Sequence, residues 1–175
     1  MMLYRRIVYI IGFMGSGKST AGKKLATILG WSFIDLDRKI EEQTGLTIPE
    51  IFSRYGEEYF RNVEAGMLKS LKSLKNTVIS TGGGTPCHGD NMNFMLDTGL
   101  TVYLKLTPGE LKSRLSEGAD KRPLLKDIKR DNLEGFIEGK LSFREKWYNL
   151  AEVIVDGFDP DINLLISSIK SQLKL

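Results

Sequence analysis

The sequence predicts an α/β fold: a five-stranded parallel sheet covered by helices on both faces, formed as one domain over residues 1–175. Three observations carry this. The run Ile7–Ile11 is continuously apolar and rich in β-branched residues, the pattern of a strand buried on both faces. A glycine-rich turn and a segment of helical period follow it directly. The same strand-then-helix order then recurs to the end of the chain, and such alternation implies parallel strands joined by helical crossovers.

The elements follow in order. After the first strand, residues 18–29 read as a helix, with Ala21, Leu25, Ala26 and Leu29 at helical spacing and Gly30 as its stop. Residues 31–34 form a second strand, ending at Asp35-Leu-Asp37, and residues 40–44 continue as helix up to Gly45. Thr47 is a helix N-cap with Glu50 as its capping-box partner and Pro49 in the first turn. A separate helix is expected over 57–74, with Phe60, Val63, Met67, Leu68 and Leu71 on one face. Residues 77–80 are the third strand, broken by Thr81 and three glycines. Residues 91–96 are helical, 101–104 the fourth strand, and 108–115 the next helix. Residues 116–127 are polar, carry Gly118 and Pro123, and read as a mobile loop. A helix over 133–150, a fifth strand at 153–155 and an amphipathic helix over 162–173 complete the chain, the last with Ile162, Leu165, Ile166 and Ile169 facing inward.

Composition narrows the classes of function. A length of 175 residues suits one sizeable core. Apolar residues at 41% and charged residues at 27% are ordinary for a soluble globular chain. The formal net charge of +3 is too small, and the basic residues too dispersed, to point to nucleic acid. Cys87 is the single cysteine, so no internal disulfide can form and a reducing, cytoplasmic setting fits. Cys87 and His88 cannot make a zinc site unaided. The apolar run behind Arg5 and Arg6 is too short for a signal-peptide core, and no stretch approaches a membrane span.

The strongest chemical signal is Gly12-Phe-Met-Gly-Ser-Gly-Lys18-Ser19, which matches G-x-x-x-x-G-K-[ST]. Glycines let backbone N–H groups approach phosphate oxygens without a clash, and the following helix points its positive end at the anion. Gly15, Ser16, Gly17, Lys18, Ser19 and Thr20 are the candidate nucleotide contacts. Lys18 can reach the β- and γ-phosphates, and the Ser19 hydroxyl can ligate Mg²⁺. Asp35 and Asp37 close the second strand. One carboxylate there could hold Mg²⁺ through water and the other accept a hydrogen bond from an attacking hydroxyl, or one or both could simply cap the next helix. Gly82, Gly83 and Gly84 offer a backbone platform. Arg61, with Glu64 one turn away, Arg122 in the polar loop and Arg144 in the late helix are candidates for carboxylate or phosphoryl binding, although a lone arginine is more often a solvated charge.

The order of these motifs resembles the shikimate kinase family. The resemblance rests on the phosphate loop, Phe33-Ile-Asp35-Leu-Asp37, Gly56-Glu-Glu-Tyr-Phe60-Arg61 with Glu64, Thr81-Gly-Gly-Gly84, Lys121-Arg122-Pro-Leu-Leu125 and Arg144, and spans residues 7–156. It implies a three-layer P-loop kinase fold of the nucleoside-monophosphate-kinase type. An acceptor-binding helical region would lie at about 38–74 and a lid at about 116–127. It implies Mg-ATP and shikimate as substrates, with shikimate 3-phosphate and ADP as products in aromatic amino-acid biosynthesis. By that resemblance Lys18, Asp37 and Arg122 are catalytic. Ser19 and Asp35 serve the metal, Asp35 through a water. Asp37, Arg61, Gly82, Gly83, Gly84 and Arg144 bind the acceptor. Arg114 and Arg122 join the nucleotide contacts, Arg114 stacking on adenine and Arg122 neutralising charge between the β- and γ-phosphates. A monomer with no nucleic-acid or membrane partner is expected.

Two positions depart from the family pattern. The late helix carries Arg144-Glu-Lys-Trp-Tyr148 in place of Arg-x-Pro-Leu-Tyr, and no arginine follows Val155, so main-chain groups are expected to complete the adenine pocket. The alternatives are a gluconate kinase-like enzyme and a non-catalytic nucleotide-binding regulatory module. The combination of Asp37, Arg61 and the triple glycine disfavours both.

Overall fold

A computed structural model describes residues 6–116, 125 and 128–174. Among these, five strands form one sheet in the order β2-β3-β1-β4-β5. They are β1 (Ile7–Ile11), β2 (Ser32–Asp35), β3 (Thr77–Ser80), β4 (Leu100–Lys105) and β5 (Val153–Asp156), and every neighbouring pair is parallel. The helices are α1 (Lys18–Leu29), α2 (Leu36–Thr44), α3 (Ile48–Ser70), α4 (Asn91–Thr98), α5 (Pro108–Ser116), α6 (Leu133–Tyr148) and α7 (Ile162–Leu173).

Alternation along β1 builds two cores. Ile7, Tyr9 and Ile11 face a large core shared with α2 to α6, whereas Val8 and Ile10 face a smaller one with α1 and α7. Period-two side chains thus make the helix–sheet–helix sandwich that the continuous apolar run implied. The central strands β1 and β3 are buried throughout, while the edge strands β2 and β5 are half exposed. Their shorter apolar runs suit edge positions.

The expected elements are present, with shifts at their ends. α2 begins at Leu36 rather than Ile40, because the Asp35 side chain accepts from Arg38 N and starts the helix early. Thr47 and Glu50 form the full capping box of α3. The helices expected around 47–50 and 57–74 join into α3 with a break at Gly56, at φ 82° and ψ 174°. That backbone region is open essentially to glycine alone. A Cβ at Gly56 would meet nothing within 4 Å, so conformation rather than space demands the glycine. The α3 helix ends at Ser70 and a 3-10 turn over Leu71–Ser73 completes the stretch. The loop expected at 116–127 lies almost wholly outside the described residues, as does Arg122.

β1 sits between β3 and β4, where the chain winds outward in both directions. Ligands of doubly wound sheets bind at that switch point, beyond the carboxyl ends of the strands. The phosphate loop leaves β1 there, and the Asp35 and Gly82 segments leave β2 and β3 on the same rim.

Candidate active site

The phosphate loop is shaped by close packing. Gly12 has φ 147°, and a Cβ there would stand 2.9 Å from Leu104 O and 3.0 Å from Ser16 Oγ. No other residue fits without moving β4. Lys18 is buried and folds back over the loop, donating from Nζ to Gly12 O at 2.9 Å and Phe13 O at 2.7 Å. Gly17 precedes α1 without any side-chain cap, so the first N–H groups of that helix are left for an anion. Ser16 Oγ is buried and has no hydrogen-bond partner among the described residues.

The two carboxylates after β2 do different work. Ser19 Oγ donates to Asp35 Oδ2 at 2.7 Å, while Asp35 Oδ1 accepts from Arg38 N at 3.3 Å. Asp35 therefore caps α2, the simpler of the roles open in the sequence, and its other oxygen faces the start of α1. Asp37 lies in the first turn of α2. Burial, then the charges of Glu64 and Asp35, push its carboxyl up to about 6, with Lys18 pulling the other way. A carboxylate in that range is ionised at neutral pH yet can still take a proton.

The three glycines after β3 each carry one of the expected acceptor residues. A Cβ at Gly82 would stand 3.1 Å from Asp37 Oδ1. One at Gly83 would stand 3.3 Å from Arg144 Nη1, and one at Gly84 only 2.7 Å from Arg61 Nη2. Side chains from α2, α6 and α3 thus converge on three successive main-chain units. A recess of about 340 Å³ joins this platform to the donor loop, with Gly15, Lys18, Ser19, Asp35, Asp37 and Gly82 among its walls. A larger concavity, about 620 Å³ between α5, α6 and β5, is lined by none of the motif residues.

Each arginine is held in its own way. Arg61 donates through Nη1 to Glu64 Oε2 at 2.9 Å and through Nε and Nη2 to Glu57 Oε1 at 3.2 Å. Glu64, 1% exposed, also accepts from the Thr85 hydroxyl at 2.7 Å. Arg144 stacks over the Phe13 ring, 5.3 Å from its centroid, and its buried Nη1 donates to nothing among the described residues. A buried guanidinium N–H without a partner suits an anionic ligand. The missing proline after Arg144 has a simple structural counterpart. α6 runs unbroken through Arg144 to Tyr148, placing both on one face.

Arg114 is held by the edge of its guanidinium. Nη1 donates to Ser16 O at 3.0 Å, and Nη2 to Gly157 O at 3.0 Å and Phe158 O at 2.7 Å. It ties the phosphate loop to the segment after β5, beside a recess of about 350 Å³ that includes Thr20, Asp159 and Pro160.

A family model described as shikimate kinase matches residues 14–173. The chain belongs to the shikimate kinase family. Membership makes it an enzyme, an ATP-dependent kinase acting on a small-molecule alcohol. The shikimate kinase of Parabacteroides distasonis is 44% identical over 150 residues, covering 86% of this chain and 87% of that one. A crystal structure of shikimate kinase from Bacteroides thetaiotaomicron superposes with a TM-score of 0.88 at 39% identity, covering 97% of this chain and 98% of that one. The Acinetobacter baumannii shikimate kinase, solved in complex with shikimate, gives a TM-score of 0.84 at 35% identity, covering 97% and 93%. A gluconokinase from Sinorhizobium meliloti gives 0.56 at 16% identity, covering 98% and 93%, which is a likeness of fold alone.

Sequence reasoning missed three residues of this shikimate kinase site. Phe13 is a variable position of the loop motif, yet its ring carries Arg144. Thr85 anchors Glu64, and the Tyr148 hydroxyl donates to Gly83 O. The tyrosine's persistence beside Arg144 was the one available signal. Cys87 and His88 follow the platform; burial pushes the thiol up to about 11 and holds the imidazole below its usual range. No helix among the described residues is long and apolar enough to cross a membrane.

Proposed function

We propose that the chain transfers the γ-phosphoryl group of Mg-ATP to the 3-hydroxyl of shikimate, giving shikimate 3-phosphate and ADP. The convergence of Asp37, Arg144 and Arg61 on Gly82, Gly83 and Gly84, next to the phosphate loop, carries this reading. Two guanidinium groups beside one backbone platform suit a carboxylate, and a nearby carboxylate suits ring hydroxyls.

The residues divide the work as follows. N–H groups of Gly15, Ser16, Gly17 and the start of α1, with Thr20, cradle the ATP phosphates, and Lys18 draws charge from the β- and γ-oxygens. Ser19 and Asp35 would hold Mg²⁺. Their adjacent oxygens at 2.7 Å are a hard donor set, and this ion keeps waters and substrate phosphates as its other ligands. When bound, the ion supplies charge neutralisation across the phosphates. Arg61 and Arg144 clamp the shikimate carboxylate. Asp37 orients the ring hydroxyls and accepts the proton of the 3-hydroxyl. The oxygen–γ-phosphorus bond forms as the bond to the β-phosphate oxygen breaks, and ADP leaves. Arg122, outside the described residues, neutralises the bridging charge from a lid at about 116–127. Residues 38–74 form the acceptor-binding region. Arg114 supports the adenine pocket by joining its two walls.

Purified protein with Mg-ATP should release ADP on addition of shikimate, and phosphorus NMR should find the product phosphate ester. ADP release with gluconate or a nucleoside monophosphate, and none with shikimate, would overturn the acceptor assignment.

A further inference from the structure

We propose that Tyr148 is a positioning residue that sets where the Gly82–Gly84 platform, and with it the acceptor, stands relative to the phosphate loop. The inference rests on the shikimate reading and extends it to a residue outside the binding set. Tyr148 ends α6, is fully buried, and lies one turn beyond Arg144 on the same helical face. Its hydroxyl donates to Gly83 O. Gly83 is a junction: a Cβ there would stand 3.2 Å from Met14 N of the phosphate loop and 3.3 Å from Arg144 Nη1 of the acceptor clamp.

The Gly83 carbonyl shares a planar trans peptide with the N–H of Gly84, so the two point in opposite directions. Holding the carbonyl toward Tyr148 therefore aims the Gly84 N–H away from it. Glycine has no side chain to fix this plane and would otherwise rotate easily. Burial also pushes the phenol above its usual range, so it remains a protonated donor through the neutral range. The ring itself is held against Tyr103, with centroids 5.0 Å apart.

Tyr103 provides the comparison. It is equally buried, but its hydroxyl has no hydrogen-bond partner among the described residues. Tyr148→Phe and Tyr103→Phe therefore each remove one buried hydroxyl from the same aromatic pair, and only the first loses a bond. For Tyr148→Phe, KM for shikimate should rise about tenfold while KM for ATP stays within about twofold. Hydrogen exchange across residues 81–86, measured without acceptor, should quicken. Tyr103→Phe should match the wild type in all three measurements. Wild-type KM and exchange in Tyr148→Phe, or equal losses in both variants, would overturn the proposal. A wild-type enzyme that ignores shikimate would instead remove the acceptor reading, and the exchange measurement would still decide whether Tyr148 holds the platform.

Discussion

Asp37 is held in a state that the fold alone would not choose. Its carboxyl is raised from 3.8 to about 6, by burial first and then by Glu64 and Asp35. Between those two values the native protein binds the proton that the unfolded chain has released. Stability is therefore lost as pH rises from about 4 to about 6 and stays lower above that. The gap corresponds to no more than about 3 kcal/mol. Asp37→Asn should relieve it, raising Tm at pH 7.5 by several degrees and leaving it unchanged near pH 3. The same change should lower kcat by at least about 100-fold, since the proton acceptor is gone. A thermal scan across pH beside a turnover assay checks both, and an equal Tm at every pH would refute the stability half. Glu64→Gln should move the acid limb of the rate profile to lower pH, because the second cause of the shift is removed. It should also raise KM for shikimate, because Arg61 loses its buried partner. A limb that stays in place would show that Glu64 does not tune the base.

At the scale of elements, α3 matters most. Its first half begins at a capping box, and Thr47→Ala should cost about 1 kcal/mol in a denaturant titration. Its second half starts anew after Gly56, and the first turn beyond the break carries Glu57, which grips Arg61. Gly56→Ala would force a side chain into a backbone region it scarcely tolerates, at a cost of about 1–3 kcal/mol. The second half of α3 should then swing, and Arg61 with it. Steady-state kinetics should show a higher KM for shikimate with KM for ATP nearly constant. Proportional changes in both would instead indicate general loosening of the fold. The two starts were legible, since the sequence already read as a helix opening at Thr47 and a separate one from about residue 57. That the two halves run on as one kinked element was not, because their continuity depends on packing against α2 and the large core.

For the whole molecule, acceptor and donor sites are built from elements far apart in sequence. α2 and α6 each send one charged side chain to the loop after β3 and α3 sends two, Arg61 and Glu64, so ligand bound among them must stabilise all four segments together. Shikimate at about 100 times its Kd should add about 2.7 kcal/mol to stability, read as a Tm rise of about 5–10 °C for a chain of this size. Arg144→Lys should reduce that rise, because a point charge cannot reproduce the planar fork. An undiminished rise would exclude Arg144 from the carboxylate clamp.

The sequence by itself determined the alternation of strand and helix, the phosphate loop and the capping box. These are local matters. Side-chain period, glycine backbone freedom and helix-end chemistry act over a few neighbouring residues, so a linear reading can find them. Only the tertiary structure decided that Asp37, Arg144 and Arg61 stand against consecutive glycines, that Phe13 lies under Arg144, and that Tyr148 reaches Gly83 O. Those contacts join residues tens of positions apart, and their geometry follows from the sheet order and from two cores packing on opposite faces of β1. Arg114 shows the same division. Its place in the helix after β4 was visible in the sequence, but its three carbonyl acceptors came from loops that meet only in the folded chain.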